Sequence, residues 1–134
     1  MATGTAGTVA RQFHTQQLHF LRKSIAYTDN GTALTVGVIP AGSLILKPAS
    51  GVHVTTAFNA GTNNFLDVGT SATADLFGTD LSLTATNFVP LDEAIGGYLV
   101  ASDTTITATV GLTGTAASAG AGEVVICYVP DIDG

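Results

Sequence analysis

Three histidines, one cysteine and ten carboxylates are the groups in this 134-residue chain that hydrolytic, redox or metal chemistry would have to use. A Ser or Cys nucleophile needs a His base and an orienting acid. His14 and His19 fall in an N-terminal stretch, His53 falls in a strand-like run, and no G-x-S-x-G elbow occurs. His14 and His19 are five residues apart, off a common helical face, and neither has a neighbouring acid, so they form no zinc motif. The single Cys127 leaves no intrachain disulfide framework and no cysteine zinc site; its alternating neighbours read as a buried strand, in which a thiol is a small hydrophobe. Asp67, Asp75 and Asp80 fall in turns without EF-hand spacing, and Asp131-x-Asp133 closes the chain. Asp92 and Glu93 are adjacent, and consecutive strand residues point to opposite faces, so they do not converge as an acid/base pair without a turn. Gly120-x-Gly122 lies before a strand rather than between a strand and a helix, which excludes a phosphate-binding loop. Asn30-Gly31-Thr32 fits a glycosylation sequon and reads as a turn. These patterns point to no enzyme, no cofactor and no metal.

The elements that would hold these residues follow from composition and pattern. Only 10% of residues are charged, where an ordinary domain carries about 25%. Threonine (21 residues) and glycine (16) make up much of the difference. Leu, Ile, Val and Phe number 37, enough for one core without a covalent staple. The charge-free runs 48–66 and 104–122 are broken every few residues by Thr, Ser, Gly or Asn, so neither reads as a membrane span. The opening MATGTAGTVARQ lacks the apolar stretch of a signal peptide. The net charge of -6 is uneven: residues 1–28 hold Arg11, Arg22 and Lys23 with no acid, while the rest holds Lys47 against all ten acids. One base in the body of the chain excludes a nucleic-acid footprint, and the N-terminal bases suit an acidic docking partner.

From residue 31 onward, short β-branched runs alternate with turn signals at the spacing of a sandwich or barrel. Strands are expected at 22–28, 33–39, 43–46, 51–58, 65–68, 86–91, 97–101, 103–113 and 123–129. In 51–58, Val52, Val54, Thr56 and Phe58 share the core face; in 103–113, Ile106, Ala108, Val110 and Leu112 face opposite to Thr105, Thr107, Thr109 and Gly111. Asn30-Gly31 predicts a type I′ hairpin joining the first two strands. The small-residue run 114–122 predicts a flexible hairpin loop. The fold class expected is all-β: a single-domain β-sandwich or jelly roll of about eight strands over 22–134, with an extended N-terminal arm at 1–21. Residues 9–21 (VARQFHTQQLHFL) contain no Gly, and their periodicity suits a helix and a strand equally.

The stretch 36–69, with its P-A-G turn, its VTTAFNAGTNN run and its LDVGT strand, resembles a block found in small structural proteins of tailed bacteriophages. Residues 105–115 (TITATVGLTGT), followed by a small-residue loop and 124–130 (VVICYVP), are similar to its second half. The resemblance covers about residues 22–130 and leaves out the arm. It implies a capsid decoration or cement protein: a small β-sandwich, made in the host bacterial cytoplasm, that binds the major capsid protein on the outer surface of the virion. Self-association is also expected, a dimer favoured over a trimer, and the charge and composition already read leave no nucleic acid and no membrane as partners. Partner-binding residues are then expected in and beside the arm, with Arg11, Arg22 and Lys23 meeting acidic groups and Phe13, Leu18, Phe20 and Leu21 as apolar anchors. A tail- or fibre-associated protein and a carbohydrate-binding module are the alternatives; the second is weakened by the absence of Trp.

Overall fold

A computed structural model describes residues 18–93 and 98–130. The protein is all-β, with ten strands among the described residues: β1 (His19–Ala26), β2 (Ala33–Ile39), β3 (Leu44–Ile45), β4 (Gly51–Thr56), β5 (Asn63–Gly69), β6 (Gly78–Ser82), β7 (Phe88–Pro90), β8 (Tyr98–Leu99), β9 (Thr104–Thr113) and β10 (Ala121–Val129). They form two antiparallel sheets. The first contains β7, β4, β10, β3 and β8 with β1 on the free side of β10; the second runs β2-β9-β5-β6. If β3 and β8 are set aside as short extensions, the remaining eight pair in a nested order: β1 with β10, β2 with β9, β4 with β7 and β5 with β6. Rolling that order up, so that β10 also pairs with β4 and β9 with β5, gives a jelly roll.

This order corrects two local expectations. The Asn30-Gly31 turn does not close a hairpin, because β1 and β2 lie in different sheets. It is a type II turn: Asn30 has φ −52° and ψ 127°, Gly31 has φ +80°, and the Thr32 N–H donates to the Asp29 carbonyl. Only Gly31 needs the left-handed region, so the dipeptide that suits type I′ serves equally well here. The Asn30 side chain then continues the edge of β9, with Oδ1 accepting from the Leu112 N–H (2.9 Å) and Nδ2 donating to the Leu112 carbonyl (3.2 Å).

The run 114–122 likewise crosses between sheets and is tied down along its length. Asn59 Oδ1 accepts from the N–H groups of Ser118 and Ala119 at 2.8 and 3.0 Å, and the Gly61 N–H donates to the Thr115 carbonyl. Small side chains let the backbone approach closely rather than leaving the loop loose.

Alternation fixes which faces meet. Val52, Val54, Leu66, Val68, Ile106, Ala108, Val110, Val124 and Ile126 are all fully or almost fully buried between the sheets. Thr56 instead is exposed, because the register slips between Ala121 and Gly122 and a bulge turns both Thr55 and Thr56 outward. β6, GTDLS, was not anticipated: Gly, Asp and Ser are poor strand formers, and the segment is held by its pairing with β5 and by buried Leu81. The strands expected at 86–91 and 97–101 shrink to three and two residues. β1 starts three residues ahead of the expected 22, so residues 19–21 belong to the sheet.

Candidate functional site

The groups able to do chemistry are dispersed. Among the described residues no three His, Cys, Asp or Glu side chains gather as a metal site. His19 lies at the start of β1 with its ring 5.6 Å from that of Tyr128, and His53 is exposed on β4. Cys127 is fully buried, and burial pushes its thiol above the usual range. Asp92 and Glu93, expected to diverge, leave β7 in irregular backbone and converge on Thr79: Asp92 accepts from its N–H at 2.9 Å, Glu93 from its hydroxyl at 2.5 Å. They tie the segment that follows β7 to β6. His14, Asp131 and Asp133 lie outside the described residues.

A pocket of about 280 Å³ lies beside Tyr27, Asn30, Leu112 and 113–117. The Asn30 amide is already engaged with Leu112, and Tyr27 is the pocket's one titratable side chain. Its volume falls just below the range of roughly 300–1,000 Å³ usual for ligand sites.

A surface is the stronger candidate. In the first sheet, residues opposite one another in register share a face. Leu99 of β8 opposes Leu44 of β3, which opposes Val129 of β10. On the other side of β10, Phe20 of β1 opposes Cys127, and Leu18, one residue ahead of β1, follows the alternation of Phe20. The result is an outward apolar row with Leu99 67%, Phe20 55%, Leu18 51% and Leu44 37% exposed, and Val129 partly so. Exposed apolar side chains occurring singly are ordinary; several laddered across neighbouring strands mark a contact surface.

The opposite end of this face carries its charged groups beside one exposed aromatic side chain, Phe88. Phe88, His53 and Glu123 lie across β7, β4 and β10, and Glu123 accepts from Arg22 Nη2 at 2.6 Å and from Nε at 3.0 Å. That bond raises the Arg22 pKa above its ordinary value.

The expected partner-binding residues therefore divide. Arg11 and Phe13 lie outside the described residues. Leu18 and Phe20 belong to the exposed row. Leu21 points the other way and packs against the core; a Cβ added at Gly37 would lie 2.8 Å from Leu21 Cδ2. Arg22 is paired with Glu123. Lys23 follows Leu21 and Ile25 on the core side of the strand but stays exposed at the sheet edge, where an inward lysine discourages pairing with a further strand. Leu44, Leu99 and Val129 were not anticipated as surface residues. The hint lay in SLIL and GYLVA, which are apolar at consecutive positions and so place an apolar group on both faces.

The outer face of the second sheet is different in kind. Thr105, Thr109 and Thr113 of β9 run along it, with Val38 and Thr35 of β2 on one side and Phe65 and Asp67 of β5 on the other. Asp80 donates its N–H to Asp67 Oδ1 at 2.8 Å, and β2, β5, β6 and β9 carry no base.

The chain is thus a two-sheet jelly-roll domain with an exposed apolar row on one outer face. No protein-family model matches it, and no curated protein matches it. Among solved structures it is similar to a chain of the cyanophage Pam1 capsid asymmetric unit, with a TM-score of 0.69 over 97% of this chain and 96% of that one. It is also similar to a chain of the acidic stable capsid structure of Helicobacter pylori bacteriophage KHP30, with a TM-score of 0.61 over 84% and 86%. Identity is 15% in both, so what is shared is the fold, over nearly the whole chain in the first case.

Proposed function

We propose that the protein is a structural component of a phage virion that binds the major capsid protein on the outer surface of the head and reinforces contacts between coat subunits. The observation that carries this reading is the whole-length fold likeness to a chain in a phage capsid. The sequence blocks at 36–69 and 105–130 point the same way, and a surface built for contact is what such a role requires.

In this reading the N-terminal segment reaches neighbouring coat subunits, Arg11 and Lys23 meet acidic groups, and Phe13 supplies an apolar anchor. Multivalent attachment on a symmetric lattice makes many modest contacts effective together. The protein associates with itself, as a dimer in preference to a trimer.

The test is co-sedimentation with heads that lack the protein. The full chain is expected to bind them and raise their resistance to heat. Deletion of residues 2–17, which removes none of the described core, is expected to abolish binding while leaving the circular dichroism of the sandwich unchanged. Undiminished binding by the truncated chain would discard the role of the arm, and failure of the full chain to bind heads would discard the function.

A further inference from the structure

We propose that Asn30 is a latent deamidation site: the edge of β9 holds its side-chain amide away from the Gly31 nitrogen, and conversion to a carboxylate takes place only when that edge opens. The site is independent of what the outer faces bind.

The chemistry follows from the dipeptide. Of the five asparagines, at 30, 59, 63, 64 and 87, only Asn30 is followed by glycine. Asparagine is thermally labile, and a glycine after it leaves the backbone nitrogen uncrowded and the chain free to bend. With its proton taken by hydroxide, the Gly31 nitrogen attacks Asn30 Cγ; a C–N bond forms, and the Cγ–Nδ2 bond breaks to release ammonia. Water then opens the cyclic imide at either carbonyl and leaves aspartate or isoaspartate at position 30. One water enters, one ammonia leaves, and nothing is oxidised or reduced. Both residues are exposed, so water and hydroxide reach them.

In the folded chain each reacting group is held by a different residue of β9. The Gly31 N–H donates to the Val110 carbonyl at 2.8 Å, so the nitrogen that must lose its proton is a bound donor. The Asn30 amide is held two residues further along, with Oδ1 accepting from the Leu112 N–H at 2.9 Å and Nδ2 donating to the Leu112 carbonyl at 3.2 Å. Ring closure has to break these bonds. The strand that makes them does not yield easily, because Val110 is fully buried and β5 pairs along its other side, Leu66 with Val110 and Asn64 with Leu112. Asp29 ties the turn itself: Oδ2 accepts from the Ala26 N–H at 2.8 Å, and its carbonyl accepts from the Thr32 N–H at 3.1 Å.

The product does not fit the closed form. A carboxylate still accepts from the Leu112 N–H but has nothing to donate to the Leu112 carbonyl, which leaves two acceptors facing each other. Isoaspartate also lengthens the backbone at the point where Gly31 meets Val110. An opening that reacts therefore leaves a lasting chemical record and makes the next opening easier.

The experiment incubates the full chain at mildly alkaline pH, folded and in urea, following acidic species by isoelectric focusing and their position by peptide mass spectrometry. In urea, position 30 is expected to convert ahead of the other four asparagines, and folding is expected to slow it by about tenfold or more. Asp29→Ala, which releases the turn without removing a buried side chain, is expected to speed conversion in the folded chain by about fivefold and to leave the rate in urea unchanged. Hydrogen exchange is the second readout: the exposed Gly31 amide of the wild type should exchange more slowly than in the unfolded chain. Asn30→Asp, which installs the carboxylate directly, should lower the midpoint in urea.

Equal conversion rates folded and in urea overturn the proposal, as does a Gly31 amide that exchanges at the unfolded rate. Conversion in urea led by another asparagine overturns the assignment of the site. A folded Asp29→Ala chain that converts no faster than wild type overturns the gating by this edge, and an unchanged midpoint for Asn30→Asp overturns the misfit of the product.

Discussion

The outer faces of the two sheets arise from the same antiparallel geometry, yet they meet their surroundings by different means. On the second sheet, threonines of β9 alternate with Ile106, Ala108 and Val110, so Thr105, Thr109 and Thr113 offer hydroxyls to water and methyls to their neighbours. On the first sheet, Leu99, Leu44 and Leu18 face outward at one end, where a lone domain gains nothing from them. The low charge content of the chain therefore has two meanings. On the threonine face it reflects hydroxyls standing in for charges, and on the leucine face it reflects an exposed apolar row.

The two sheets also differ in how tightly their backbones are closed, and two glycines, buried Gly51 and exposed Gly111, measure the difference. Gly51 opens β4 in the first sheet, and a Cβ there would lie 2.1 Å from the Val89 carbonyl oxygen and 2.8 Å from Pro90 Cα. Both obstacles are backbone and neither can swing aside. Gly51→Ala is expected to cost about 3 kcal/mol or more, from the forced displacement of β7, read as a lower midpoint in urea. A midpoint within error of wild type would mean that this edge of the first sheet is as open as the second.

The next largest effect belongs to the place where the first sheet changes partners. β10 pairs with β4 as far as Val125 and with β3 from Tyr128, and buried Ser50 bridges the gap: its hydroxyl accepts from the Cys127 N–H at 2.9 Å and donates to the Leu46 carbonyl at 2.8 Å. Ser50→Ala leaves that N–H unpaired in the interior and is expected to cost about 2 kcal/mol in the same assay. A midpoint within error of wild type would show that other contacts hold the junction.

How much of this was legible depends on whether a feature is local. The inward set of β9 was readable because alternation along a strand does not depend on its partners, and Ile106, Ala108 and Val110 are buried as expected. Pairing was not readable. In a nested roll the strand next in sequence is seldom the strand next in space, and β5–β6 is the one pair among the eight principal strands that is adjacent in sequence. The Asn-Gly signal was genuine as a turn and misleading as a hairpin, since Gly31 alone adopts a positive φ. The apolar row was hidden for the same reason. Leu18, Leu44, Leu99 and Val129 come from four strands or their flanks, and a two-residue strand such as β3 shows no alternation from which to tell its outward side.

The smallest expected effect is the sharpest control on the comparison. Gly111 faces outward from β9 between Thr109 and Thr113, opposite Phe65 of β5. The nearest atom to an added Cβ is the Phe65 carbonyl oxygen at 4.0 Å, and the residue does not adopt a positive φ. Alanine therefore fits without strain, and the lost conformational freedom of the unfolded chain should stabilise the protein by about 0.5 kcal/mol. The same chemical change thus carries opposite signs on the two sheets, a loss at Gly51 and a small gain at Gly111. If Gly111→Ala instead lowers the midpoint in urea, the second sheet is as closed at this position as the first is at Gly51, and the contrast between the two sheets would have to be abandoned.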